Sequence, residues 1–323
     1  MKELLDHGHE VIGVDNYSKY GKVERSYDNH PCLTFVEGDA KDVKLLKDLI
    51  VDCDQAVALA GIIGGISLFH ERAYDLLAEN ERLNAAVFDA CIWAFREKRL
   101  KKINVISSSM VFERTKQFPT IEGEQLKCSP PMSTYGFQKL ACEYFAKGAF
   151  EQYGLPYTII RPFNAVGIGE KKAKMEKEIL SGNIKLAMSH VVPDLVQKTL
   201  KGQDPLHIFG SGNQVRHYTY AGDIARGIRL CIESEKAVNE DFNLSTPVST
   251  SVLELAETIW KKINGDKSFR HVSDKPFLYD VQKRIPSVGK AKRILEFEAK
   301  TTLSEALDEV IPWIQRQIEA GGI

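Results

Sequence analysis

Short apolar runs alternate with longer amphipathic stretches from the first residues to about residue 165. His9-Glu-Val-Ile-Gly-Val-Asp15-Asn16 reads as an apolar strand ending in an acid, and Leu33-Thr-Phe-Val36 ends at Glu37-Gly-Asp39 in the same way. A helical stretch over Val43 to Ile50 leads to Ala56-Val-Ala-Leu-Ala60, which breaks into Gly61-Ile-Ile-Gly-Gly65. A long amphipathic helix follows from about Tyr74 to Arg99, and Ile103-Asn-Val-Ile106 repeats the buried-strand pattern. Strands separated by helices of this length predict βαβ units, a parallel sheet covered on both faces, and ligands at the carboxyl ends of the strands. The opening Met1 to Gly8 has helical spacing and a glycine stop but no N-cap, so it looks like the tail of a longer helix.

After Tyr157-Thr-Ile-Ile160 the pattern loosens into Gly- and Lys-rich sequence from Gly167 to Lys185. Helices are predicted at Pro193 to Lys201, from Asp223, and at Val252 to Ile263, Gly289 to Leu295 and Leu303 to Glu319. Strands are predicted at Pro205 to Phe209 and Asp241 to Leu244. The expectation is an α/β fold: a doubly wound parallel sheet with a smaller C-terminal substrate lobe. Residues 1–165 and 217–248 would form the sheet domain, and 166–216 and 249–323 the lobe.

Composition narrows the partners. With 43 Lys+Arg against 44 Asp+Glu in 323 residues, charge is nearly balanced, which leaves no basic footprint for nucleic acid or an anionic membrane. No apolar run approaches the roughly 18 to 20 residues of a spanning helix, and the N-terminus lacks a signal-peptide layout. Six scattered cysteines without a CxxC or metal-ligand cluster read as reduced thiols, so a cytoplasmic protein binding a small molecule, with no metal, is expected.

The chemistry concentrates in Ser107-Ser-Ser-Met-Val-Phe112, at the end of a strand, and Thr134-Tyr135-Gly-Phe-Gln-Lys139, opening a helix after Pro130-Pro131. Tyr135 and Lys139 are four apart and share a helix face, where an ammonium favours the phenolate and the helix N-terminus adds positive potential. A serine hydroxyl at the preceding strand end can bond the oxygen of an alcohol or carbonyl. Together these groups suit hydride transfer.

At these residues the chain resembles the extended short-chain dehydrogenase/reductase superfamily, in particular its NAD-dependent nucleotide-sugar epimerases and dehydratases. The resemblance runs through Val14-Asp15-Asn16, Glu37-Gly-Asp39, Leu59-Ala-Gly61, Asn80, Ser107 to Ser109, Tyr135 with Lys139, Arg161-Pro-Phe-Asn164, Gly210 to Arg216, Tyr220 to Asp223 and Arg284 to Lys290. It implies that Asp15, with Asn16, holds the adenosine ribose of NAD, that Asp39 and Ala40 flank adenine, and that Leu59, Ala60 and Gly61 run under the ribose and pyrophosphate. Asn80, Ser107 and Pro162 would border the cofactor, and Lys139 would bind the nicotinamide ribose. Tyr135 would be the proton acceptor and Ser108 its partner, with Ser109 the neighbouring alternative. Asn164 and Arg216 would hold a nucleotide-sugar diphosphate, with Arg284 as a second candidate, while His190 and Val191 would line the nucleotide. A homodimer is implied, packed through the helices at Tyr74 to Arg99 and Ser133 to Tyr153.

Three departures from that pattern matter. The family's first strand and Gly-rich phosphate loop would lie before residue 1, so an upstream start and a gap in the sheet are expected. Gly61-Ile-Ile-Gly-Gly65 is similar to the sugar-bordering segment of GDP-mannose 3,5-epimerase and GDP-fucose synthase. Ser109-Met110 stands where dehydratases and decarboxylases resemble one another in carrying acids, and Phe112-Glu113 replaces the usual Tyr-Gly. Neither a thioether nor a serine is a good acid-base group near neutral pH, so the leading expectation is 4-epimerisation of a UDP-hexose-type substrate. The alternatives are a nucleotide-sugar reductase or dehydratase, a GDP-sugar epimerase, and a non-catalytic dinucleotide or nucleotide-sugar sensor.

Overall fold

The computed structural model describes residues 1–65, 71–174, 179–186, 190–277 and 280–323. Residues 175–178 of the loose Gly- and Lys-rich stretch therefore lie outside the described residues. A single helical turn, α1 (Lys2–Leu5), leads into β1 (Val11–Asp15), which pairs in parallel with β2 (Leu33–Glu37). Then come α2 (Val43–Ile50), β3 (Gln55–Ala58), α3 (Ala73–Glu97), β4 (Lys102–Ile106), α4 (Thr134–Tyr153) and β5 (Tyr157–Pro162). The remainder runs β6 (Ala165–Val166), β7 (Ile179–Ser181), β8 (Ile184–Leu186), α5 (Val191–Leu200), β9 (Leu206–Phe209), β10 (Val215–Arg216), β11 (Thr219–Tyr220), α6 (Ala221–Glu233) and β12 (Glu240–Leu244). It ends with β13 (Thr250–Ser251), α7 (Val252–Asn264), β14 (His271–Asp274), α8 (Gly289–Leu295) and α9 (Leu303–Glu319).

One all-parallel sheet has the order β12-β5-β4-β3, and β1-β2 is a separate parallel pair. β4 is buried along its whole length because helices cover both faces, as a parallel strand requires. Phe88, Cys91 and Ala94 of α3 and Cys142, Ala146 and Ala149 of α4 pack with Ile103, Val105 and Ile159 on one face. Ile106 and Ile160 pack with Cys231, Phe242 and Leu244 on the other. β1 and β3 share no hydrogen bonds, and Ile12, Val57 and Leu59 are exposed there, Leu59 to 65%.

A second core gathers Leu195 and Val196 of α5, Leu206 and Ile208 of β9, Ile259 and Trp260 of α7, and Leu307 and Ile314 of α9. Tyr218 belongs to this second core, while Ala291, Leu295 and Phe297 pack into the sheet core with Ile160 and Phe242. The apolar side of α8 covers β12, the terminal strand of the sheet, and edges of this kind are stable when covered. Of the short paired strands only β9, expected at Pro205 to Phe209, was legible from the sequence; β6, β7, β8, β10, β11, β13 and β14, of two to four residues, carry too little pattern.

Two local contacts position the site. α4 starts at Ser133, whose hydroxyl accepts the Gly136 N–H at 3.1 Å. A side chain at Gly136 would meet Pro131 Cβ at 2.7 Å and the Met110 carbonyl at 2.9 Å, so glycine lets the first turn of α4 close onto the segment after β4. On α3, buried Asn80 clamps the loop after β3: its Oδ1 accepts the Ile62 N–H at 2.6 Å and its Nδ2 donates to the Ile62 carbonyl at 3.0 Å. Asn80→Ala removes both partners at once and is expected to lower unfolding free energy by about 1–3 kcal/mol, measured by urea denaturation.

Candidate active site

Beyond β4 the backbone turns through a short 3₁₀ helix, Ser109–Phe112, which Ser108 caps: its Oγ accepts the Met110 N–H at 3.2 Å and keeps its own proton to donate. Tyr135 lies in the first turn of α4, buried against Leu76 and Met110 with Val281 packed alongside. Lys139, one turn further, donates from Nζ to the Ile106 carbonyl at 2.9 Å, which pins it to the carboxyl end of β4. The structure thus brings the predicted serine, tyrosine and lysine elements to one end of one strand. Ser109 is buried in the 3₁₀ turn, and Ser107 is turned inward, its hydroxyl donating to Glu143 Oε1 at 2.6 Å. Among the groups expected to border the cofactor, Ser107 therefore offers main chain rather than a hydroxyl.

Along the strand ends, Asp15 Oδ1 accepts the Tyr17 N–H at 2.8 Å, and the exposed carboxylate keeps its other oxygen for a ligand. Asn16 Oδ1 accepts the Ser18 N–H at 3.0 Å, and Asp39 Oδ1 accepts the Lys41 N–H at 2.9 Å with Ala40 between them. Lys22 pairs with Glu37 at 2.8 Å rather than with Asp15, so the Asp15 charge stands. Leu59, Ala60 and Gly61 are exposed beyond β3, and Pro162 ends β5. An acid able to bind vicinal hydroxyls at one end and a lysine beside a tyrosine at the other form a donor set that fits a dinucleotide such as NAD.

A polar cluster faces this end from the second core. Arg216 donates to Asp280 Oδ1 at 3.0 Å and Gln214 donates to Asp280 Oδ2 at 2.8 Å. Arg284 is half-buried, donating to Asn164 Oδ1 at 3.3 Å, while its Nε is buried without a partner. Burial, and next the charge of Arg216, pull the Arg284 guanidinium down to about 9. The Tyr218 hydroxyl and Gln214 Oε1 are likewise buried and unpartnered. Asn164 adopts left-handed backbone, φ 38°, which Asn tolerates better than most residues. A half-buried cation with no carboxylate bonded to it among the described residues, ringed by an unpartnered hydroxyl and an unpartnered amide oxygen, marks a place for an anionic, hydroxyl-bearing ligand.

Of the residues expected to line a nucleotide, His190 is the N-cap of α5 and holds Glu170 at 2.9 Å through Nδ1, with Val191 beside it. His217 is structural: Nδ1 donates to the Thr246 carbonyl at 2.8 Å, and burial pushes its imidazole toward the neutral form. Sequence reasoning missed Gln214, Tyr218 and Asp280. The first two sit two residues either side of Arg216, a strand period that was available as a signal. Asp280 had none, since it reaches Arg216 across 64 positions.

The model of the NAD dependent epimerase/dehydratase family matches residues 1–245. An uncharacterized UDP-glucose epimerase of Bacillus subtilis is 26% identical over 320 residues, covering 97% of this chain and 92% of its own. Among solved structures, the UDP-glucose 4-epimerase of Thermotoga maritima with UDP-glucose superposes with a TM-score of 0.80 at 26% identity, covering 98% of this chain and 94% of that one. A UDP-N-acetylglucosamine 4-epimerase from Methanobrevibacter ruminantium gives a TM-score of 0.81 at 26% identity, with 97% and 93% covered. With the serine, tyrosine and lysine gathered at one strand end and the family model matching residues 1–245, the chain belongs to the NAD dependent epimerase/dehydratase family, whose members similar to it include NAD-dependent nucleotide-sugar epimerases, decarboxylases and dehydratases.

Proposed function

We propose that the protein is a nucleotide-sugar 4-epimerase acting on a UDP-hexose. The observation that carries this reading is the company of Tyr135. Met110 packs against it, and the carboxylates named here around the site are committed elsewhere: Glu113 to the Ser133 N–H and hydroxyl at 3.1 and 2.9 Å, Glu143 to an ion pair, and Asp280 to Arg216 and Gln214. Elimination of water needs a further acid-base group beside the serine, whereas epimerisation at C4 needs only Ser108, Tyr135 and Lys139. NAD, when bound, supplies the hydride acceptor and donor. Ser108 donates to the sugar oxygen, Tyr135 Oη takes its proton and later returns it, and Lys139 stands one helical turn from Tyr135 at the same strand end. Asn164, Arg216 and Arg284, with Tyr218 and Gln214, are the groups for the diphosphate and nucleotide.

We further infer a homodimer built on α3 and α4. Phe137, Tyr144 and Tyr153 are exposed along α4 and, with Ala85 and Ile92 of α3, border one apolar cleft. Among the described residues no helix is long and apolar enough to cross a membrane, and all six cysteines are unpaired, which fits a reducing cytoplasm.

Three outcomes test these readings. Purified protein is expected to interconvert C4 epimers of UDP-glucose or UDP-N-acetylglucosamine by NMR, with Tyr135→Phe lowering kcat by about 10²–10⁴-fold. Release of water or carbon dioxide, or net consumption of reduced nicotinamide, would replace the epimerase reading. Binding of UDP, measured by calorimetry, is expected to weaken about 10–100-fold in Arg284→Met, which removes a charge-assisted donor worth about 1.5–3 kcal/mol. Light scattering is expected to give twice the chain mass, and one chain mass for Phe137→Glu/Tyr144→Glu.

A further inference from the structure

The site is framed by a buried ionic network that none of the roles above absorbs. Glu143 lies on α4, one turn beyond Lys139 and two beyond Tyr135, with no exposed surface. Arg161 of β5, also fully buried, grips it in bidentate fashion: Nε to Oε1 at 2.7 Å and a terminal nitrogen to Oε2 at 2.8 Å. The Ser107 hydroxyl donates to the same carboxylate at 2.6 Å and Gln125 Nε2 at 3.1 Å. The remaining arm of Arg161 reaches Asp241 of β12 at 2.7 Å, and Lys290 of α8 holds the other Asp241 oxygen at 2.7 Å. The guanidinium also lies under the ring of Phe112, 5.2 Å from its centroid, at the end of the 3₁₀ turn that Ser108 begins.

The consequence is geometric. Ser107 is the residue before Ser108, and Lys139 and Glu143 are successive turns of one helix, so a single carboxylate fixes the strand end bearing the serine against the helix bearing tyrosine and lysine. Phe112, stacked on the same guanidinium, fixes the far side of the turn. Burial alone would weaken the hold of Arg161 on its proton, but the neighbouring carboxylates of Glu143 and Asp241 outweigh it and keep the guanidinium charged. Bidentate pairing fixes orientation as well as distance, which a hydrophobic filler of the same volume does not.

We propose that Glu143 and Arg161 are positioning residues: their ion pair sets the register between Ser108 and the Tyr135–Lys139 face on which turnover depends. This rests on the catalytic reading of those three residues given above.

The test compares kcat, KM, the pH profile of kcat and the melting temperature of wild type, Glu143→Gln, Arg161→Lys and Lys290→Met. Wild-type protein that fails to turn over any UDP-hexose sinks the functional reading and is told apart from everything that follows. Given turnover, Glu143→Gln and Arg161→Lys are expected to lose about 10–100-fold in kcat, as misplacement of reacting groups by about an ångström does, with KM within about twofold and the limbs of the pH profile displaced. Lys290→Met, which loosens only the outer arm, is expected to lower the melting temperature and leave kcat alone. A wild-type kcat and pH profile in Glu143→Gln and Arg161→Lys overturns the proposal, as does a kcat loss in Lys290→Met that simply follows its melting temperature. Should Glu143→Gln not fold, Ser107→Ala and Gln125→Leu each remove one bond to the carboxylate. A kcat loss of about threefold or more with a displaced profile in either supports the proposal, and wild-type behaviour in both overturns it.

Discussion

The sheet domain depends on an ion pair that no solvent reaches. Glu143 and Arg161 join α4, the end of β4, β5 and, through Asp241 and Lys290, β12 and α8. Hydrophobic packing between α3, α4 and the sheet supplies most of the driving force for folding, but it is tolerant of small slides. A buried bidentate pair is not tolerant, since displacement leaves charge uncompensated where water cannot help. That rigidity suits a centre in which one hydroxyl, one phenol and one ammonium must meet at the end of a single strand.

The opposite wall is built on a different principle. There Asp280 pairs with Arg216, while among the described residues Arg284 donates to the Asn164 amide oxygen and the Tyr218 hydroxyl has no partner. Unpaired polar groups of this kind raise the energy of the ligand-free protein, and the interactions they are missing are the ones a diphosphate and its nucleotide supply. One wall is locked in its final arrangement, and the other carries its attraction for substrate as unsatisfied valence.

Between them, Met110 and Phe112 give the site its chemical restraint. A thioether against Tyr135 and a ring over Arg161 leave the short 3₁₀ turn without a proton-transferring group besides Ser108 and Ser109. Glu113, the acid nearest in sequence, is turned to the Ser133 N–H and hydroxyl at the start of α4, where a negative charge meets the helix N-terminus.

By itself the sequence determined the alternation of parallel strands and helices, the membership of Tyr135 and Lys139 on one helix face, and the acids Asp15 and Asp39 at strand ends. These follow from local periodicity, which residues a few positions apart are enough to express. The helix limits at Val43–Ile50, Gly289–Leu295 and Leu303–Glu319 were readable for the same reason, through spacing and caps. Only the tertiary structure decided that Ser107 faces Glu143 rather than a ligand, that Asn80 holds the Ile62 backbone, that α8 covers the sheet, and that Asp280 and Arg284 share a wall with Arg216. Each of those contacts joins residues from 18 to 131 positions apart, as between Asn80 and Ile62 or Ile160 and Ala291. No local pattern encodes which distant partner a polar side chain meets, because that choice is made by packing and by the cost of leaving a buried group unpaired.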